Sequence, residues 1–197
     1  MSRSVVVSRN FLLMASLAAL LLAALGWEIL GARPAATPAS AAVGVRITMT
    51  VTGKAQGPFK GDDFATAKNA TGLINVLGYS AEIVSPRDPS TGQATGHRIW
   101  KPIVVTHLLG GSSPQFLAAA SRNETLSKVV ISFFHTSNRG QEILYYRVTL
   151  TNATVTDVHH YTSGGDVLED DSFVFQTIEQ DDLIAKTSFF DDFETIT

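Results

Sequence analysis

The sequence contains no cysteine, and charged residues make up only 17% of its 197 residues. The lack of cysteine excludes a disulfide framework, thiolate zinc sites and cysteine nucleophiles. Lys and Arg number 15 against 18 Asp and Glu, and they form no basic block. Because nucleic-acid phosphates are bound by clustered Lys and Arg, we predict no nucleic-acid partner. Hydrophobic residues make up 45% of the sequence, enough for a folded core.

Sequence motifs for catalysis and metal binding are also missing. No G-x-S-x-G, H-E-x-x-H or P-loop pattern occurs, so we predict no catalytic residue, no cofactor and no enzymatic activity. The histidines show no ligand spacing with a third partner, and His159 and His160, being adjacent, would point to opposite faces of a strand. We therefore predict no metal site and interpret the five histidines as surface or strand-edge residues: His97, His107, His135, His159 and His160.

Short acidic groups occur in the second half of the chain, at residues 169–171, 181–182 and 191–192. They do not show the alternating D-x-D-x-D-G pattern of a calcium loop. We interpret them as parts of a solvated surface.

Residues 1–41 have the pattern of an export segment. Arg3 and Arg9 precede an uncharged run, residues 11–27, and a Pro/Ala-rich linker follows it. The run is roughly 17 residues long, at the lower limit for a membrane-spanning helix. Ala39-Ser40-Ala41 matches the small-residue cleavage rule. Two alternatives stay open: a cleaved signal peptide, which would release residues 42–197 as a secreted domain, or a signal anchor that holds the protein to the cytoplasmic membrane through residues 11–27.

Residues 42–197 are predicted to form an all-β domain with one short helix. Residues 45–52 alternate strictly between apolar and polar side chains, and residues 144–150 do the same, as expected of half-buried strands. Gly, Pro and Asn clusters separate the predicted strands. Further β-branched or aromatic runs predict strands at residues 73–84, 99–106, 129–134, 153–158 and 172–178. Many short strands of this kind favour a sandwich or a small barrel.

The predicted helix begins at Ser113 and Pro114 and ends near Asn123. Ser113 is the predicted cap, Pro114 suits the first helical position, and Phe116, Leu117 and Ala120 are predicted to share one face. Residues 53–71 and 161–171 are predicted loops, and the C-terminal extension, residues 181–197, contains a predicted extra strand at residues 189–193.

Several motifs occur in an order that resembles the haemolysin co-regulated protein (Hcp) family, the tube subunit of type VI secretion. The hairpin sequence Pro86-Arg87-Asp88-Pro89 is followed by Lys101-Pro102, by Ser112-Ser113-Pro114 and by Phe133-Phe134-His135-Thr136. Further matches are Leu150-Thr151-Asn152-Ala153 and residues 171–178, and the resemblance covers most of residues 45–180.

The resemblance implies two packed antiparallel sheets that close toward a barrel, with one helix beside them. It also implies a homo-hexameric ring, rings stacked into a tube, and effector proteins and a spike protein as partners. In the family pattern Ser80 corresponds to a serine that faces the lumen and contacts cargo. In the stacked tube that the resemblance implies, we expect the predicted loop at residues 53–71 to contact the neighbouring ring. The candidates for this contact are Gly57, Pro58, Phe59, Lys60, Gly61 and Asp62.

Two other functions compete with the tube. One is a monomeric, exported β-sandwich that serves as an adhesion or binding module. The other is a hydrolase, which no constellation of residues supports. Tube subunits of the family that work in the cytoplasm have no export segment, so residues 1–41 predict an assembly outside the cytoplasmic membrane, built without a sheath.

Overall fold

The computed structural model describes residues 44–61 and 72–193. The predicted export segment and Asp62 lie outside these described residues. Within them, no helix combines the length and the apolar character needed to cross a bilayer. The described elements are β1 (Val45–Gly53), β2 (Gly57–Pro58), β3 (Ile74–Ser80), β4 (Ile83–Val84), β5 (Ile99–Trp100), β6 (Ile103–Leu108), α1 (Ser113–Arg122), β7 (Thr125–Thr136), β8 (Glu142–Ser163), β9 (Asp166–Val174), β10 (Thr177–Asp182) and β11 (Thr187–Asp192).

Six antiparallel strands close into a barrel in the order β8, β7, β1, β3, β6 and β9, and β9 pairs back to β8. Strands β10 and β11 extend the sheet beyond β8, β2 pairs with β1, and β4 and β5 form a separate two-stranded sheet. The predicted mainly β fold with one short helix, closed as a barrel, is confirmed.

Strand β8 closes the barrel because it is 22 residues long. Its first half lies between β7 and β10, and its second half pairs with β9. Asn152, near the change of partner, has a left-handed backbone with φ of 49°. The two strands predicted at residues 144–150 and 153–158 are therefore one continuous strand.

The alternation of β1 places Met49 and Val51 in the barrel core, at 0% and 2% exposure. Apolar side chains from all the barrel strands and from α1 join them, because period-two alternation directs every second side chain inward. The largest fully buried hydrophobic side chains are Phe59, Phe116, Phe173, Met49, Ile74, Ile103, Leu126, Ile131, Leu150 and Ile178.

Helix α1 lies where it was predicted, but two details of the prediction are wrong. Its cap is Ser112, which makes no side-chain capping bond, while the hydroxyl of Ser113 accepts a 3.0 Å hydrogen bond from the N–H of Gly110. Phe116 and Ala119 are buried, whereas Leu117 is 46% exposed. The buried face of the helix therefore consists of Ser113, Phe116 and Ala119, which are spaced three residues apart, and Leu117 lies outside it. Asn123 ends the helix in the left-handed conformation.

The predicted loop at residues 161–171 is wrong. Strand β8 continues to Ser163, Gly164 and Gly165 form a tight turn with φ of 63° and 95°, and β9 begins at Asp166. Two consecutive positive φ values suit the two-residue hairpin turns that glycine makes easily. The strand predicted at residues 189–193 is confirmed as β11, which pairs with β10 along its full length.

Candidate functional site

Ser80, the predicted cargo-contacting residue, is the last residue of β3 and is exposed. The preceding side chain, Tyr79, packs edge-on against Phe133 of the core with ring centroids 5.2 Å apart. Because neighbouring side chains on a strand point to opposite faces, Ser80 points away from the core. The structure therefore leaves its hydroxyl available to a partner, and its contact with cargo stays a prediction.

The predicted inter-ring loop, residues 57–62, is in large part tied to the barrel. Gly57 and Pro58 form β2 against β1, and the N–H of Lys60 donates a 2.7 Å hydrogen bond to Oε1 of Gln115. Phe59 is 2% exposed, and its ring lies 5.0 Å from that of Phe116. The ring of Phe59 belongs to the core, so it offers almost no surface to a neighbouring ring.

Pro58 and Lys60 are exposed, and Gly57 and Gly61 are partly exposed. These four residues remain candidates for contacts with a neighbour. Gly61 lies so close to the chain at Leu73 that a Cβ there would stand 2.2 Å from its carbonyl oxygen. Only glycine permits this approach, which holds the loop against the start of β3.

A carboxylate anchors the turn between β1 and β2. Glu124, just after α1, accepts hydrogen bonds of 2.8 and 2.9 Å from the backbone N–H groups of Ala55 and Gln56. Burial alone would raise the pKa of Glu124, but these bonds outweigh it and hold the pKa below its ordinary value. The same carboxylate explains why residue 53 is a glycine, because a Cβ there would lie 2.3 Å from Oε1 of Glu124. The turn that leads into β2 is thus held in place from the helix side.

The Pro-Arg-Asp-Pro motif forms a tight turn at the tip of an arm between β4 and β5. Oδ1 of Asp88 accepts hydrogen bonds from the N–H groups of Ser90 and Thr91 at 2.7 and 3.0 Å, and these bonds lower the pKa of Asp88. Gly92 then takes a φ of 70°, and the backbone of Arg87 pairs with that of Ala94 in an antiparallel β-bridge. The motif therefore specifies the shape of the arm by local hydrogen bonding.

Three polar side chains that the sequence analysis assigned to the surface meet inside the barrel wall. His107 of β6 and Glu169 and Asp171 of β9 are all 0% exposed. Nε2 of His107 lies 2.9 Å from Oδ2 of Asp171 and 3.7 Å from Oε1 of Glu169. The predictions of a strand-edge histidine and of a solvated acidic face are wrong for these residues.

The sequence carried a signal for this cluster that ligand spacing alone did not reveal. Glu169, Asp171 and the core residue Phe173 are spaced two residues apart on β9, so they share the face that points inward. His107 follows Ile103 and Val105 on β6 in the same way. The three ligand-type residues come from strands about 60 residues apart, and only strand pairing brings them together.

The electrostatics of the cluster reflect burial and mutual attraction. Burial lowers the pKa of His107, but its hydrogen bond to Asp171 and the two nearby carboxylates outweigh this and raise it. Burial and the neighbouring Glu169 raise the pKa of Asp171 to about 7, although His107 opposes the rise. No hydrogen bond reaches either oxygen of Glu169 or Oδ1 of Asp171.

A family model described as the type VI secretion system effector Hcp matches residues 49–181. The chain belongs to the Hcp family. It is 35% identical over 130 residues to the "Major exported protein" of Pseudomonas aeruginosa, a match that covers 62% of this chain and 76% of that protein. The resemblance noted from the motifs is therefore confirmed as family membership.

Solved Hcp structures share the fold. A crystal structure of an Hcp protein superposes with a TM-score of 0.69 at 23% identity, covering 75% of this chain and 99% of that chain. The secreted protein Hcp3 of Pseudomonas aeruginosa superposes with a TM-score of 0.64 at 27% identity, covering 76% and 98%. The superposed part covers nearly the whole length of these two relatives and about three quarters of this chain.

Proposed function

We propose that this Hcp-family chain is a ring-forming, tube-type structural protein that assembles as a homo-hexamer and stacks ring on ring. The observation that carries the proposal is the family match, which spans residues 49–181 and includes all or part of every strand of the closed barrel. No catalytic machinery is part of the proposal.

The exposed apolar surface offers a place for contact between subunits. Phe190 on β11 and Ile184 in the turn before it are 64% and 61% exposed, and Ile99 on the arm is 55% exposed. The arm and this C-terminal hairpin meet where Trp100 approaches Phe189, with ring centroids 6.3 Å apart. Each of these exposed apolar side chains could be covered by a neighbouring subunit. The outer edge of β11 pairs with no other described strand, so it also offers free backbone groups to a neighbour.

The test is the mass and shape of the purified full-length chain, by light scattering and negative-stain microscopy. We expect hexamer mass and ring-shaped particles, and we expect Phe190→Ser to lower the mass while leaving the fold intact. Leu117→Ser is the matched control, because Leu117 is also an exposed apolar residue but lies on α1. A chain that stays monomeric at concentrations on the order of tens of micromolar would contradict the ring and favour the monomeric binding module.

The proposal includes a cargo role for Ser80. The exposed hydroxyl at the end of β3 supports it. Effector proteins in the lumen and a spike protein at the tube end are the partners it implies. We expect Ser80→Arg to reduce the amount of co-purified cargo without changing the ring mass.

The location of the assembly is the second part of the proposal. We infer from Arg3, Arg9 and the uncharged run at residues 11–27 that residues 42–197 lie outside the cytoplasmic membrane. The relative named "Major exported protein" supports this. An alkaline phosphatase fusion placed after Ala42 should be active. An inactive fusion, with the full chain soluble in the cytoplasm, would contradict export and favour a conventional cytoplasmic tube subunit.

A further inference from the structure

The strand register aligns three ligand-type residues across the barrel wall. His107 on β6 stands directly opposite Glu169 on β9, and His160 on β8 stands opposite the other side of Glu169. Asp171 lies two residues further along β9, on the same face as Glu169. The ligand atoms of His107, Glu169 and Asp171 all lie within 4.8 Å of one another.

The ring of His107 is oriented with Nε2 toward the two carboxylates. Its Nδ1 lies 2.8 Å from the carbonyl oxygen of Leu108, and a carbonyl can only accept, so Nδ1 carries a proton. In the neutral ring Nε2 then presents its lone pair toward the carboxylates of Asp171 and Glu169. A cation that took the place of the proton between Nε2 and Oδ2 of Asp171 would meet one imidazole nitrogen and two carboxylates. A backbone carbonyl that fixes the tautomer in this way is a common second partner of metal-binding histidines.

The unpartnered oxygens of the cluster favour a bound ion. Oε1 of Glu169 and Oδ1 of Asp171 are buried and accept no hydrogen bond. Buried carboxylate oxygens are normally hydrogen-bonded or bound to a metal. A divalent ion held by His107 and Asp171 would provide a partner for Glu169 as well.

We propose that His107, Glu169 and Asp171 bind a divalent transition-metal ion of the zinc class, which joins β6 to β9 where the barrel closes. One imidazole nitrogen and two carboxylate oxygens are ligands that Zn²⁺ accepts. Zn²⁺ bonds of about 2.0–2.2 Å in a tetrahedron separate neighbouring ligand atoms by about 3.4 Å, which small side-chain shifts from the present 2.9 and 3.7 Å would produce. Ca²⁺ fits less well, because it takes about six to eight oxygen ligands.

The surroundings suit a structural ion. The ring of Phe116 lies 5.6 Å from that of His107 and shields the cluster from the helix side. Nε2 of His160 lies 3.0 Å from Oε2 of Glu169 in an ion-pair contact, and the His160 side chain is 35% exposed. His160 therefore acts as a positioning residue for Glu169 and marks the side from which an ion would enter. Since β9 joins β6 to β8, the ion would stabilise the closure of the barrel.

The test uses the purified full-length chain, stripped with a chelator and then titrated with ZnCl₂ in a calorimeter. We expect one ion per chain and a rise in Tm on binding. Glu169→Gln and His107→Gln should weaken zinc binding about 100-fold or more, while Asp170→Asn, on the opposite face of β9, should not. Circular dichroism checks that each variant is folded.

X-ray absorption of the zinc-loaded wild-type chain tests the site even if a variant fails to fold. We expect nitrogen and oxygen ligands only, with the signature of one imidazole. Zinc binding that is absent from the stripped, folded chain would overturn the proposal. Binding that both Glu169→Gln and His107→Gln retain would also overturn it, because the ion would then lie elsewhere. Neither outcome depends on ring formation, since the ligands come from one chain.

Discussion

The indole Nε1 of Trp100 donates a 2.9 Å hydrogen bond to Oδ2 of Asp191, which lies 91 residues further along the chain. The guanidinium of Arg98 binds both oxygens of the same carboxylate, and Asp191 is only 5% exposed. Trp100 also packs edge-on against Phe175, with ring centroids 5.7 Å apart. The arm that begins at β4 is thereby attached to the C-terminal hairpin, so the exposed apolar residues of both segments have a defined arrangement.

Replacement of Asp191 by Asn should destabilise the protein. The change keeps the shape of the side chain but removes the charge that Arg98 and Trp100 bind. We expect the free energy of unfolding to fall by about 2 kcal/mol, as for other hydrogen bonds to charged groups. Urea denaturation measures the loss. Glu179→Gln, which removes an exposed carboxylate from neighbouring β10, is the control and should stay within about 0.5 kcal/mol. Equal effects of the two changes would contradict the assigned role of Asp191.

The same carboxylate should make stability depend on acidic pH. In the folded protein the hydrogen bonds of Asp191 with Arg98, together with the one from Trp100, hold its pKa below the ordinary value. Burial alone would raise this pKa, but the hydrogen bonds outweigh it. The unfolded chain binds this proton at about pH 3.9. The stability that Asp191 contributes is therefore fully present above the unfolded pKa and is lost as the pH falls through the folded pKa.

Urea denaturation of the wild type and of Asp191→Asn across pH 6 to 2 should show this directly. The difference in unfolding free energy between the two proteins should be constant above about pH 5 and should shrink below about pH 4. A difference that grows on acidification would mean that Asp191 is bound in its protonated form.

Substitutions of Phe59 and Lys60 should distinguish core packing from ring stacking as roles of the segment after β2. Phe59→Ala removes a ring that is packed against Phe116 and should cost about 3–5 kcal/mol of stability. Lys60→Ala changes an exposed side chain and should cost no more than about 0.5 kcal/mol. If the proposed stacking is correct, Lys60→Ala should instead shorten the stacks of rings seen by electron microscopy. A stable Phe59→Ala variant would show that this ring is not part of the core.

Much of the fold could be predicted from local patterns. The alternation at residues 45–52 predicted β1, and Ser112-Ser113-Pro114 predicted the start of α1 to within one residue. The aromatic pair at Phe189 and Phe190 predicted β11. In each case the pattern reflects a preference of the backbone or an inward and outward alternation that neighbouring residues specify among themselves. The order of the motifs also identified the family.

The limits of prediction lay where a segment depends on partners far away in sequence. Residues 161–171 contain acidic residues and two glycines, which favour a loop, yet pairing with β6 and β8 makes most of them part of a barrel strand. Phe59 lies in a glycine-rich stretch with no periodicity, and its burial depends on the position of Phe116 in α1.

The sequence by itself therefore determined the β class, the short helix, the turns and the family, because short-range sterics, alternation and motif order specify them. Only the tertiary structure decided that His107, Glu169 and Asp171 share one buried site. An acidic side chain is normally solvated, and its burial depends on which face of the strand lies inward and on what stands opposite. Here the pairing of β6 with β9 places a histidine across from a carboxylate 62 residues away in sequence, and the barrel closes over both.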